Sequence, residues 1–240
     1  GAISSGFTGI YGTSTTGDIV IDIGSAATVR GSHFGVGTET TTGLATVNNS
    51  GLIANRADTG AASDAGATGF RAYTGNTVLN NSGSLIGGVD TTGSASFTLN
   101  NQAGGVWTPS SGTMPFLGAN DVISNAGQID FRDNWTNFNG LETFINESGG
   151  HFNMSYGSGA TDHVIVPNFS ATNGSEFTFN FDAAGANNSG VGYDNSANGL
   201  GTADTIHVTG TSTPSGVSRV NVLATGGLPA AETGSVSLIY

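Results

Sequence analysis

Carboxylates flank an arginine in Asp130-Phe131-Arg132-Asp133, and Glu142 and Glu147 follow shortly after. Paired acids beside a cation are the equipment of glycoside cleavage, in which one carboxyl donates a proton and the other acts as base or nucleophile. Nothing in the sequence pushes the two acid pKa values apart, so the group reads first as a solvated polar face. Polysaccharide cleavage through Asp130 and Asp133 is the alternative. The histidines His33, His151, His163 and His207 are too scattered for metal-ligand spacing. Asp182, Asp194 and Asp204 lie among Gly and Asn, where Ca²⁺ is sometimes held. They lack the repeated Gly-Gly-x-Gly-x-Asp nonapeptide and read as turn formers. Serine–glycine pairs such as Ser4-Ser5-Gly6, Ser110-Ser111-Gly112 and Gly157-Ser158-Gly159 sit in no nucleophile frame, and no helix is available to build an elbow. No catalytic residue, metal site or cofactor is assigned.

The elements that would carry such side chains announce themselves through a repeat. Val47-Asn48-Asn49-Ser50-Gly51, Leu79-Asn80-Asn81-Ser82-Gly83 and Leu99-Asn100-Asn101-Gln102-Ala103-Gly104 share one phrase. It returns as Ile123-Ser124-Asn125-Ala126-Gly127 and Phe144-Ile145-Asn146-Glu147-Ser148-Gly149. Asn49, Asn81, Asn101, Asn125 and Asn146 are spaced 32, 20, 24 and 21 residues apart. A period in the low twenties is that of a stacked array whose repeats cover one another's open faces. Apolar residues alternate with polar ones over short runs, as in Ile19-Val20-Ile21-Asp22-Ile23, and nowhere follow a helical period.

Together these features predict an all-β chain: a right-handed, single-stranded parallel β-helix of roughly ten coils, about 50 Å long at the ordinary strand spacing. The five asparagines should stack as a structural ladder, each amide bonding the next, with Gly where φ turns positive.

Composition narrows the function classes. Only 9% of the 240 residues are charged, and lysine is absent. Arg30, Arg56, Arg71, Arg132 and Arg219 face 17 carboxylates, for a net charge of −12. That balance excludes a phosphate-binding footprint, so no nucleic acid is expected, and anionic membrane surfaces should repel the chain. Cysteine is absent, which fits either a reducing compartment or an export route that disfavours crosslinks. The chain starts at Gly1 and reads as a piece of something longer.

Residues 1–157 are expected to form the coils, with excursions near 55–75 and 104–120. The first makes the Asn49-to-Asn81 interval too long for one coil, and the second carries Pro109 and Pro115. Arg56, Phe70, Arg71 and Tyr73 fall in the first excursion and are the candidate binding residues. Phe131, Trp135, Phe138, Phe144, Phe152, Tyr156, Phe169, Phe177, Phe179 and Phe181 crowd the later half and predict a stacked aromatic core, an exposed strip for sugar or protein contact being the alternative. Residues 158–240 abandon the asparagine phrase for longer alternating strands and are expected to cap the rod.

The asparagine coils of residues 49–149 resemble the β-helix repeats of autotransporter passengers, the type V secretion class of Gram-negative bacteria. Asp204-Thr205-Ile206-His207-Val208-Thr209-Gly210, Ser218-Arg219-Val220-Asn221-Val222 and Gly234-Ser235-Val236-Ser237-Leu238-Ile239 resemble the autochaperone region beside the membrane barrel. The resemblance implies export through the outer membrane to the cell surface or medium, with the C-terminal part folding first and templating the rest. It also implies a partner barrel, whose alternating strands are absent from this chain. Such passengers include adhesins, proteases, esterases and toxins, so fold alone selects no activity.

The expected function is a non-catalytic adhesin or self-association module that meets a host surface protein or glycan, or like passengers on neighbouring cells. A polysaccharide-active enzyme, or a stalk for an effector before Gly1, are the alternatives.

Overall fold

The computed structural model describes residues 1–61, 67–132, 135–156, 162–182, 204–213 and 215–225. Within them every regular element is a strand and every strand pairing is parallel. The strands lie on three faces, so the architecture is a parallel β-helix.

The first face stacks nine strands in chain order, from Ala2–Ser5 through Leu52–Asn55, Val106–Thr108 and His151–Asn153 to Arg219–Thr225. The second face contains Phe34–Asn49, Thr68–Asn81, Ser96–Asn101, Val122–Asn125, Thr143–Asn146 and Phe169–Ala171. The third comprises Gly112–Pro115, Trp135–Asn139, His163–Val166 and Thr205–Val208. In the early coils the third face is made by the leading halves of the long strands Phe34–Asn49 and Thr68–Asn81, which then bend into the second face.

Alternation places one residue in two inside the rod. Val29, Ile53, Leu85, Trp107, Ile129, Phe152 and Phe177 form one inward column on the first face. On the second face the inward column runs Val47, Leu79, Leu99, Ile123, Phe144, Phe169. Both columns are buried and trade aliphatic for aromatic side chains toward the C-terminal end. The predicted aromatic core is present, with Phe144 stacked on Phe169 at 5.6 Å and Phe131 against Phe152 at 4.2 Å. Trp135 and Tyr156 are not part of it; they lie 37% and 40% exposed on the surface. The side chain of Phe181 lies outside the described residues.

The predicted ladder is continuous. Asn49 donates to Asn81 (2.7 Å), Asn81 to Asn101 (2.8 Å), Asn101 to Asn125 (2.7 Å) and Asn125 to Asn146 (2.8 Å), all buried. Each Nδ2 also reaches a backbone carbonyl of the turn above, such as Ser84 from Asn49 and Gln128 from Asn101. Both amide hydrogens are thereby used, as a buried polar group requires. The column begins above Ile23 and ends beneath Ala171.

Two expected boundaries need correction. The excursion near 55–75 is confined to residues 56–67, because Thr68–Asn81 is already strand. The excursion expected at 104–120 is regular coil: Val106–Thr108 and Gly112–Pro115 pair with Gln128–Asp130 and Trp135–Asn139. Pro115 is tolerated at a strand end, where its missing N–H takes nothing from the ladder. Residues 162–182 and 204–225 continue the same three faces, so the change in sequence style near residue 158 marks no change of fold in the described part. The segment 234–239 lies outside the described residues.

Candidate functional site

The four candidate binding residues separate once folded. Phe70 is fully buried and packs on Phe97 at 5.7 Å, so it serves the core and cannot meet a ligand. Arg56 is exposed at the start of the excursion. Arg71 and Tyr73 lie on the outer side of the strand Thr68–Asn81, where they join residues that sequence spacing does not reveal.

Strand register places Tyr11, Gly37, Arg71 and Asp90 in one outward column. Pairing then slips: Thr38 faces Ala72 but Glu39 faces Thr74, leaving Tyr73 as the extra residue. Alternation from the buried Phe70 and Ala72 points Tyr73 outward with Arg71, so its ring lies on the outer surface. Tyr11 meets Tyr73 edge-on at 5.6 Å, and Phe34 does so at 5.7 Å. The Arg71 guanidinium sits 4.5 Å from the Tyr73 ring centroid and 3.4 Å from Asp90 Oδ2.

Gly37 makes this shelf possible. A Cβ there would lie 2.6 Å from the Phe34 ring and 3.1 Å from that of Tyr11. The Tyr11 hydroxyl donates to Glu39, and that bond, reinforced by burial and by the Glu39 charge, raises its pKa to about 12. Phe7 and His33 lie with ring centroids 4.2 Å apart, tilted to one another, beside Phe34 and extend the aromatic surface.

A second outward feature covers the second face. Val20, Thr46, Val78, Thr98, Val122 and Thr143 alternate in register, giving one branched shape on each rung. Beside them Asn100 donates to Asn80, Asn80 to Asn48, and Asn48 to the Asp22 carboxylate, at 2.8–2.9 Å. This outer column runs opposite to the buried one, and its donor end meets a negative charge. From Thr46 to Thr143 the outward residues of these two columns are uncharged.

The acidic group expected around Arg132 is built differently from a catalytic pair. Arg132 is buried against Asp58. Asp130 accepts hydrogen bonds from Gln128 and Asn153, both at 2.7 Å, and Asp133 lies outside the described residues. Glu147 accepts from Ser124, and Glu142 from the Asp121 backbone N–H. Burial raises the Asp121 pKa against the lowering effect of the Phe97 N–H, and the Glu142 charge adds to the rise. Asp121 also accepts the Gly118 N–H, so it closes a turn. Asp204 likewise binds the Asp162 and Asn180 backbone N–H groups; Asp194 lies outside the described residues.

The histidines serve separate contacts. His151 bonds Thr178, and His163 bonds Thr205 with the His207 ring at 6.1 Å. Burial, with the His207 charge second, lowers the His163 pKa to about 4. Among the described residues no group of three or more His, Asp or Glu is placed to hold a metal ion.

No family model, curated protein or solved structure matches the chain. What the molecule offers is therefore set out by its own surfaces: an aromatic and charged shelf on the early coils, and beside it a face of repeated Val/Thr and amide columns.

Proposed function

We propose that the chain is a non-catalytic adhesive segment of an exported, cell-surface protein of the autotransporter passenger kind. The observation that carries this reading is the flat second face, with its Val/Thr column and outward amide column repeated at the rung spacing of about 4.8 Å. The chain carries a net charge of −12, and like charges keep two such rods apart. An uncharged, ordered face is where a host surface or a second passenger can approach without that repulsion. Each contact is weak, and display of many copies on a cell sums them. The C-terminal coils, through residue 225, would nucleate folding after export and template the coils before them, assisted by the chain's own outer-membrane barrel.

The test is display on bacteria behind a barrel, with clustering and attachment to host matrix scored against cells showing barrel alone. Thr46→Asp with Thr98→Asp places charge in the face and should abolish clustering while surface display persists. Wild-type cells that cluster and attach no more than barrel-only cells would overturn the proposal.

A further inference from the structure

The outer shelf is more specific than an adhesive face requires. We propose that Tyr11, Tyr73, Arg71, Glu39 and Asp90 form a binding site for a neutral sugar unit within a glycan chain. This rests on the adhesive reading of the chain and adds to it the class of ligand.

Sugar rings have an apolar C–H face and a hydroxyl rim. The shelf offers a counterpart to each. Tyr11 presents a ring that is 46% exposed, braced edge-on by Tyr73, which is itself braced by Phe34. Aromatic rings held in this way provide contact area at little entropic cost. Around them stand two carboxylates and one guanidinium. Arg71 is half-exposed and held to Asp90 at 3.4 Å, so an adjoining pair of hydroxyls finds a donor and an acceptor side by side. Glu39, already accepting the Tyr11 hydroxyl, supplies a further acceptor.

Charge selects among sugars. Two carboxylates outweigh one guanidinium that is already paired and lying over Tyr73. On a chain of net charge −12, uronic and sialic acids or sulfated chains are repelled, and neutral hexoses or N-acetylhexosamines are admitted. The site is also prepared in advance. Gly37 leaves the space in which the Tyr11 and Phe34 rings lie, and alternation from the buried Phe70 and Ala72 turns the Tyr73 ring outward.

The experiment is titration calorimetry of the purified chain with cellohexaose, chitohexaose and mannohexaose, and with heparin and polysialic acid as anionic probes. At least one neutral oligomer should bind with a Kd of about 1 mM or tighter. Tyr11→Ala and Arg71→Gln should each weaken that binding about tenfold or more at an unchanged melting temperature, and Tyr11→Phe should retain most of it. If Tyr11→Ala alters the fold, the half-exposed Arg71→Gln still decides. Absence of binding to every neutral probe, undiminished binding by both variants, or preference for the anionic probes would overturn the proposal. Clustering of cells displaying Tyr11→Ala is scored in parallel: clustering that persists without sugar binding sinks the sugar site and leaves the adhesive reading standing.

Discussion

Asp58 holds the Arg132 guanidinium with both carboxylate oxygens, at 2.8 and 3.0 Å from Nη2, and neither side chain reaches solvent. Asp58 belongs to the excursion after the strand Leu52–Asn55, and Arg132 follows Gln128–Asp130, three rungs further along the first face. At about 4.8 Å per rung the excursion and the Arg132 side chain together bridge roughly 14 Å along the rod. Tyr156 extends the same fastening one rung further by donating to the Gly60 carbonyl at 2.8 Å, and Arg30 holds the excursion's base through the Asn55 and Asp58 carbonyls.

A buried charge stripped of its partner is costly, whereas removing both partners is often nearly neutral. Asp58→Ala should therefore destabilise the protein by about 3–5 kcal/mol, measured by denaturant unfolding. The double variant Asp58→Leu with Arg132→Met should recover much of that loss. Equal destabilisation by the single and double variants would show that the pairing itself is not the issue.

The buried amide column makes a prediction that depends on position. At Asn101 a change to Ala strands the Asn81 donor and the Asn125 acceptor together. Each buried orphan costs about 1–3 kcal/mol. Asn146 is the last member, and Asn146→Ala strands one ladder partner, the Asn125 amide. Unfolding midpoints should fall about twice as far for Asn101→Ala as for Asn146→Ala. Equal losses would mean that the amides do not act as a column.

Two glycines with the same backbone angle separate conformational from steric demand. Gly104 and Gly140 both sit at φ 84°, yet a Cβ at 104 meets nothing within 4 Å, while one at 140 would lie 1.9 Å from the Phe116 carbonyl oxygen. Gly104→Ala should cost about 1–2 kcal/mol for the left-handed conformation alone. Gly140→Ala must also displace the neighbouring coil and should lose clearly more, by thermal unfolding. Matching losses would refute the contact.

His163 sets an acid limit. Its pKa in the folded protein, about 4, lies below the 6.5 of an unrestrained imidazole, so the unfolded chain takes up the proton first. The neutral ring's contribution is whole above pH 6.5 and is lost as the pH falls from there toward 4. Melting temperature should drop by several degrees across that window, and the His163→Gln protein should show a flatter dependence there. An identical slope in both proteins would clear His163 of the effect.

The sequence by itself determined the solenoid and its asparagine column, because each amide's partner is the same short phrase one coil later. Alternation of apolar residues also located the strand Ile19–Ile23, since burial on a pleated strand is a local pattern. Only the tertiary structure decided what lies across unequal coils. Tyr11, Gly37, Arg71 and Asp90 are separated by 26, 34 and 19 residues, so no fixed period brings them together. Pro109 and Pro115 disguised Gly112–Pro115 as an excursion, and the unequal coils concealed the Asp58–Arg132 pair, 74 residues apart. Neighbours along a coil are written in the chain; neighbours across coils depend on how much chain each turn consumes, and that is settled only when the core columns lock into register.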